Sequence, residues 1–250
     1  ILGESGSGKN WVAKVIAAHR QWLLQKASSD MGELGAILKT NFLKYEEINL
    51  PGLPDQLAES ELFGYKKGAF TGADKDRLGY LDQGYDDLLL DEIGDISPAL
   101  QSKLLRVLND GKFRPIGGLP DDETETDARL LMATNRDLSK MCRKGEFRED
   151  LLWRIHEFVI NVPPLRDQTD AINGIASNIL ASLIKTRNVL VPDEGNSESL
   201  LTLSDADLEF SKTYAWPGNV RQFRHAIMRW LIEQKQQSLK DCALEIESDL

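Results

Sequence analysis

Long apolar runs are missing from this chain of 250 residues. No stretch approaches the roughly 18 uncharged apolar residues that a membrane-crossing helix needs. The first residues also lack the charged-then-apolar pattern of a secretory signal. Cysteine is scarce: Cys142 and Cys242 are the only two, carry no companion motif, and read as reduced thiols rather than a disulfide framework. Basic charge is in deficit, with 30 Lys and Arg against 40 Asp and Glu for a net of −10. That balance argues against a broad face built to grip a polyanion, while leaving room for a local basic patch. Internal repeats and low-complexity tracts are absent. What is there is ordinary: 41% apolar and 28% charged residues, the composition of a globular protein of the cytoplasm. The length suits one large domain, or a large and a small one.

The chain opens "ILGESGSGKN". An apolar pair that reads as a strand end precedes Gly3, Gly8 and Lys9 in the spacing G-x-x-x-x-G-K, and "WVAKVIAAHRQWLL" follows with helical periodicity. Strand, glycine-rich loop and helix form the order that a phosphate cradle needs. Glycines let the backbone N–H groups across Gly3, Glu4, Ser5, Gly6, Ser7 and Gly8 converge on phosphate oxygens. The helix start adds positive potential, and Lys9 reaches the outer phosphates. One position departs from the pattern. The motif closes with Ser or Thr on Mg2+, and here Asn10 stands, an amide less suited to the metal or its bound water.

Such a site needs acids on a second strand. "DDLLLDEIGD" supplies an apolar run, Leu88 to Leu90, that stops at Asp91-Glu92; a run of this kind suits a parallel sheet covered on both faces. Ligands of these sheets bind at the carboxyl ends of strands, where the pair falls. Asp91 is suited to holding Mg2+ through water and Glu92 to polarising an attacking water, although adjacent acids also cap helices. A third strand, "DARLLMATNRDL", leads into Thr134-Asn135. Asn135 could orient the water or sense the terminal phosphate, or simply form a turn. Strands alternate with helices through residue 163, and after Pro163-Pro164 the pattern turns helical. The expectation is a nucleotide-binding α/β domain over 1–166 and a helical domain over 167–250.

Eight segments follow one another in order: "GESGSGK", "ESELFGYKKGAFTGA", "LLLDEIGD", "LLRVLNDGKFRPIGG", "ATNRDL", "FREDLLWRI", "VPPLR" and "WPGNVRQF". Together they resemble the central AAA+ ATPase domain of sigma-54-dependent transcriptional activators, the bacterial enhancer-binding proteins, over nearly the whole chain. The resemblance implies an α/β AAA+ P-loop NTPase, its parallel sheet flanked by helices, with a small C-terminal helical lid. It implies ATP and Mg2+ as cofactors and a homo-oligomeric ring, usually a hexamer, that remodels RNA polymerase holoenzyme carrying the sigma-54 subunit. DNA would be met only through a domain outside this chain, and no membrane is involved. The loop Gly68, Ala69, Phe70, Thr71, Gly72 and Ala73 would protrude and touch sigma-54, with Phe70 the apolar contact and the glycines as hinges. Arg148 and Arg154 match arginine fingers that enter a neighbouring subunit's site; the plainer alternative pairs them with Glu149 or Asp150. Arg221 matches a lid arginine that reaches the nucleotide, and Asn49 an asparagine that binds the catalytic glutamate.

Departures from the family pattern stand beside these matches. The family commonly has Glu or Thr where Asn10 stands. Tyr85-Asp86-Asp87 replaces Gly-Gly-Thr, placing like charge close to Asp91 or else folding outward. "LQKASSDMGELGAILKTNFLKY" is a long link between first helix and second strand. The acids Asp121, Asp122, Glu123 and Glu125 read as a solvated hairpin tip. The chain begins at the strand and ends without a helix-turn-helix, as a fragment would, or a protein without sensor and DNA-reading domains. Three functions stay open: an active ATPase on sigma-54 polymerase, a degenerate relative that binds nucleotide and sigma-54 but hydrolyses little, and a ring ATPase with another protein target.

Overall fold

The computed structural model describes residues 1–29, 44–51, 54–187, 203–233 and 238–248. They form two compact units, one of Ile1–Leu2 with Lys9–Asn161 and one of Gly3–Gly8 with Val162–Leu250. Most of the long link after the first helix, 30–43, and residues 52–53 beyond Asn49 lie outside the described residues.

The first unit runs α1 (Lys9–Ser29), β1 (Tyr45–Asn49), α2 (Asp55–Phe63), β2 (Gly64–Tyr65), β3 (Arg77–Leu78), β4 (Asp87–Asp91) and α3 (Pro98–Asp110). It continues with β5 (Lys112–Phe113), β6 (Thr124–Glu125), β7 (Arg129–Met132), α4 (Leu138–Lys144) and α5 (Glu149–Ile155). Strands β1, β4 and β7 make a parallel sheet in that order, with Asn49 opposite Asp91 and Leu90 opposite Met132. The opening pair contributes less than a strand: Leu2 makes single parallel bridges to Thr134 and Asn161.

The apolar β4 is covered on both faces, as its unbroken leucines demand. Leu88 and Leu90 pack with Ile48, Leu62, Phe63, Leu100, Leu104 and Val107, while Leu89 faces Ala13 and Ala133. Small residues on α1 let it lie close to the sheet. Each of these leucines contributes about 1.5–3 kcal/mol by burial, and Leu89→Asp would break the layer. Helix α3 is fixed at both ends. Ser97 accepts the Leu100 N–H at 3.4 Å, Pro98 opens the first turn, and Gly111 closes the last with φ 70.

One sequence expectation needs correcting, and another gains detail. Asp87 neither crowds Asp91 nor folds outward. It is fully buried at the far end of β4, four residue steps or roughly 13 Å along the strand from Asp91. Arg20 Nη1 at 3.0 Å and Arg129 Nε at 2.6 Å donate to its Oδ1, so two cations from the flanking elements neutralise it. Asp86 accepts the Lys44 N–H at 2.8 Å. The hairpin of β5 and β6 forms, yet its acids are not all spent on water. Asp122 pairs with Lys66 at 3.2 Å, Glu123 with Arg106, and Glu125 with Lys112 at 3.1 Å.

The second unit holds α6 (Ile172–Arg187), α7 (Asp205–Thr213), α8 (Asn219–Ile232) and α9 (Leu239–Ser248) beside the loop Gly3–Gly8. Its core centres on Trp216, 0% exposed, ringed by Phe210, Tyr214 and Phe223 at centroid distances of 4.7–6.0 Å. The buried indole N–H is satisfied by the Ser211 carbonyl at 2.8 Å. Trp216 and Asn219 both have positive φ, 45 and 52, in the tight turn that "WPGN" makes before α8. That strain is held by the packing of the tryptophan and by the hydrogen bonds of Asn219.

Candidate functional site

In the first unit, Lys9 and Asn10 open α1, and the acids sit at the carboxyl end of β4. Lys9 is 6% exposed, an unusual burial for an ammonium group. Glu92 has φ 56 and ψ 43, left-handed territory that few non-glycine residues occupy. Its Oε2 is buried and has no hydrogen-bond partner among the described residues. A strained backbone carrying an unsatisfied carboxylate is a combination that functional sites retain and structural sites avoid. Asp91 is engaged on both oxygens: Oδ1 accepts the Glu92 N–H at 3.0 Å and Oδ2 accepts Asn10 Nδ2 at 3.1 Å.

The same Asn10 amide donates to Glu47 Oε1, whose other oxygen lies 3.3 Å from Lys14 Nζ. Glu47 was not among the sequence candidates. The signal was there: with period two along "YEEIN", Tyr45, Glu47 and Asn49 share one face of β1, so a side chain two residues from Asn49 points the same way. Tyr45 shares that neighbourhood. Burial, then the charges of Glu47 and Asp91, push its phenol up to about 12, and its hydroxyl has no partner among the described residues. Asn49, opposite Asp91, is exposed, and so is Asn135, one residue beyond the buried Thr134. Among the described residues there is no cluster of three His, Cys, Asp or Glu side chains for a metal cage. The carboxylate of Asp91 with the carboxamide of Asn10 fits Mg2+, which keeps several waters and takes its other ligands from phosphate.

The loop Gly3–Gly8 is organised within the second unit. Gly6 has φ 73, and a Cβ there would meet the Gly218 carbonyl at 2.5 Å, so both conformation and space require glycine. Asn219 is buried and donates to Glu4 Oε2 at 3.0 Å and to the Ser5 carbonyl at 3.1 Å, while its oxygen accepts the Leu165 N–H at 2.8 Å. Arg166 grips Glu4 with both terminal nitrogens, at 2.5 and 2.9 Å. That guanidinium, then Asn219, holds the Glu4 carboxyl down to about 2. Arg221 donates to Ser5 Oγ at 3.3 Å, and its N–H to the Gly6 carbonyl at 3.3 Å. The candidate Arg221 therefore meets the candidate loop. Ser7 Oγ is buried without a partner among the described residues, as Glu92 Oε2 and the Tyr45 hydroxyl are. Asn219 and Arg166 escaped sequence reasoning because their partners lie more than 160 residues away.

The loop Gly68–Ala73 is a closed turn. The Gly68 N–H donates to the Ala73 carbonyl at 2.8 Å, the Ala73 N–H to the Phe70 carbonyl at 3.0 Å, and Gly68 and Gly72 have φ 83 and 96. Phe70 is 45% exposed, its ring edge-on to Tyr65 at 4.9 Å. The stem is braced by the β5–β6 hairpin, where the Lys66 N–H donates to the Ile116 carbonyl at 2.9 Å. Thr71 is exposed, Ala69 half-buried and Ala73 buried. Both candidate fingers have partners within the chain. Arg148 pairs with Asp150 at 2.7 Å and reaches Ser102 at 3.2 Å; Arg154 donates twice to the Leu108 carbonyl, at 2.8 and 3.1 Å, and pairs with Glu157.

Residues 1–161 match the family of the Sigma-54 interaction domain. The chain belongs to that family. This sigma-54 interaction chain is 41% identical over 231 residues to the alginate biosynthesis transcriptional regulatory protein AlgB of Pseudomonas aeruginosa, covering 92% of the chain and 45% of AlgB. It is 37% identical over 235 residues to the Nif-specific regulatory protein of Azotobacter vinelandii, covering 92% of the chain and 38% of that protein. It spans less than half the length of these relatives. Among solved structures, NtrX from Brucella abortus in complex with ADP superposes with a TM-score of 0.71 at 25% identity, covering 94% of the chain and 45% of NtrX. Hsp104, at a TM-score of 0.57 and 20% identity over 93% of the chain and 40% of Hsp104, shares the fold. The fold is thus the α/β AAA+ class, a parallel sheet flanked by helices.

Proposed function

We propose that the chain is an ATP-hydrolysing module that acts, in a homo-oligomeric ring, on RNA polymerase carrying sigma-54. The observation that carries this is Glu92, a carboxylate with one buried, unpartnered oxygen on a strained backbone directly after Asp91. Backbone N–H groups of Gly3–Gly8 hold the phosphates, and Lys9 offsets their charge. Asp91 and Asn10 hold Mg2+, which when bound neutralises charge on the phosphate oxygens. Glu92 orients the attacking water and accepts its proton, and Asn135 helps position that water. Asn49, on the strand beside β4, restrains Glu92 until the partner engages. Arg148 and Arg154 of a second copy stabilise charge on the phosphoryl group in flight. Arg221 couples the helical part, taken as 167–250, to the nucleotide held by 1–166. Gly68–Ala73 presents Phe70 and Thr71 to sigma-54. Structure and ADP-bound relatives support nucleotide binding; the family supports the partner. Six subunits per ring, a cytoplasmic setting, and DNA contact through a segment beyond this chain belong to the same reading. No helix among the described residues is long and apolar enough to cross a membrane.

The test is hydrolysis of Mg-ATP by wild type and by Glu92→Gln. A general base contributes about a hundredfold to ten-thousandfold, so turnover falls by at least about a hundred while nucleotide binding persists. Equal turnover in the two proteins removes Glu92 from the chemistry.

One observation favours a second reading, a nucleotide-binding relative that hydrolyses poorly: the Asn10 amide lies on the Asp91 carboxylate, where a metal water would sit. Near-zero turnover restored by Asn10→Thr supports it, and brisk turnover of the wild type excludes it.

A further inference from the structure

The phosphate motif ends on an amide, and the structure shows what stands behind that amide. Asn10 Nδ2 is flanked by two carboxylates, Glu47 Oε1 and Asp91 Oδ2, the latter at 3.1 Å. Two acceptors on one side fix which end of the carboxamide is nitrogen. With the nitrogen spent on the two acids, the carbonyl oxygen Oδ1 is the atom left to act as an oxygen ligand, while Asp91 reaches the same cation through water. A serine or threonine hydroxyl needs no such fixing, since its single oxygen is acceptor in every rotamer. An asparagine does, because half of its flip states would aim an N–H pair at a cation. Glu47 is itself held by Lys14 at 3.3 Å, and its side chain is about two-thirds shielded from water. Asp91 alone would make a poor anchor for Asn10, because its other oxygen is committed to the Glu92 N–H.

We propose that Glu47 is a positioning residue that turns Asn10 so that its carboxamide oxygen replaces the missing hydroxyl toward a hydrated divalent cation carried with a nucleoside triphosphate. This rests on the nucleotide-binding reading above. Glu47 need not touch the cation; it acts through Asn10, as outer-shell carboxylates do through the ligands they orient. Asn10 and Glu47 therefore form a coupled pair, and the effect of changing one depends on the identity of the other.

The experiment measures Mn2+ affinity by electron paramagnetic resonance in the presence of a non-hydrolysable ATP analogue. Five proteins are compared: wild type, Glu47→Ala, Glu47→Gln, Asn10→Thr and the Glu47→Ala, Asn10→Thr double variant. Analogue affinity in EDTA and thermal midpoints are recorded alongside. Loss of an outer-shell partner costs about tenfold to a hundredfold in metal affinity, so Glu47→Ala weakens Mn2+ binding by that factor. Analogue affinity in EDTA stays at the wild-type value. In the Asn10→Thr background the same Glu47→Ala change costs nothing further, because the hydroxyl needs no anchor. Glu47→Gln, whose amide oxygen still accepts from Asn10, retains wild-type Mn2+ affinity. If Glu47→Ala binds Mn2+ as the wild type does, or loses as much in the Asn10→Thr background, the proposal is overturned while the nucleotide reading stands. If the wild type binds no analogue at all, the nucleotide reading itself fails and this inference goes with it.

Discussion

Glu4 shows how one carboxylate can be held by distant residues. Arg166 and Asn219 together keep it charged, with its pKa lowered from 4.5 to about 2. The sign follows directly. A folded-state value below the unfolded one gives stabilisation that is present above about pH 4.5 and lost as pH falls towards 2. A Glu4 carboxyl titration followed by NMR should show a midpoint near 2 in the wild type and a clearly higher one in Arg166→Met, where only Asn219 still holds the carboxylate. An unshifted wild-type midpoint would mean that the pair is not formed in solution. The residue scale is also where sequence reading was least complete. Lys9, Asp91 and Glu92 were legible because strand and loop spacing fixes them locally. Glu47 needed the pleat of β1 and the flank of α1 together, and Asn219 needed a partner 215 residues earlier. Long-range partners leave no trace in local spacing.

At the scale of elements, patterning was a better guide. The continuous leucines of β4 named a two-sided buried strand, and Leu88, Leu89 and Leu90 are all fully buried. What patterning could not show was the state of the Phe70 turn. It read as an aromatic on a flexible stalk; the structure has it closed by two backbone hydrogen bonds and leaning on Tyr65. The half-exposed ring gives up little when removed, since an edge contact of this kind is worth about 0.5–1.5 kcal/mol. Phe70→Ala should therefore retain its circular-dichroism spectrum and melt only slightly earlier, yet lose the nucleotide-dependent complex with purified sigma-54 on gel filtration. A complex that survives this substitution assigns the contact elsewhere. The acids of the β5–β6 hairpin are solvated as read, and their ion pairs went unseen for a related reason. Charge density alone does not show that Lys66 and Arg106 lie within reach.

For the whole molecule, the proposed function makes activity depend on assembly. In this chain Arg148 and Arg154 are occupied by Asp150, Leu108 and Glu157, so a lone copy offers no free guanidinium from these two positions. If a second copy supplies them, ATP turnover per subunit rises with protein concentration and the rise disappears in Arg154→Ala. An arginine finger is worth about 10³–10⁵ in turnover, so the rise is readily measured in a dilution series; a flat profile down to monomeric samples removes the assignment.

The division into compact units carries a further consequence. The matched segment ends at residue 161, whereas the glycine loop near its start is clasped by Arg166, Asn219 and Arg221 from beyond that point. Cutting the chain at that border would leave the loop without its clamps, however intact the sheet. The stretch that defines the kinship leaves out the side chains that hold its own glycine loop.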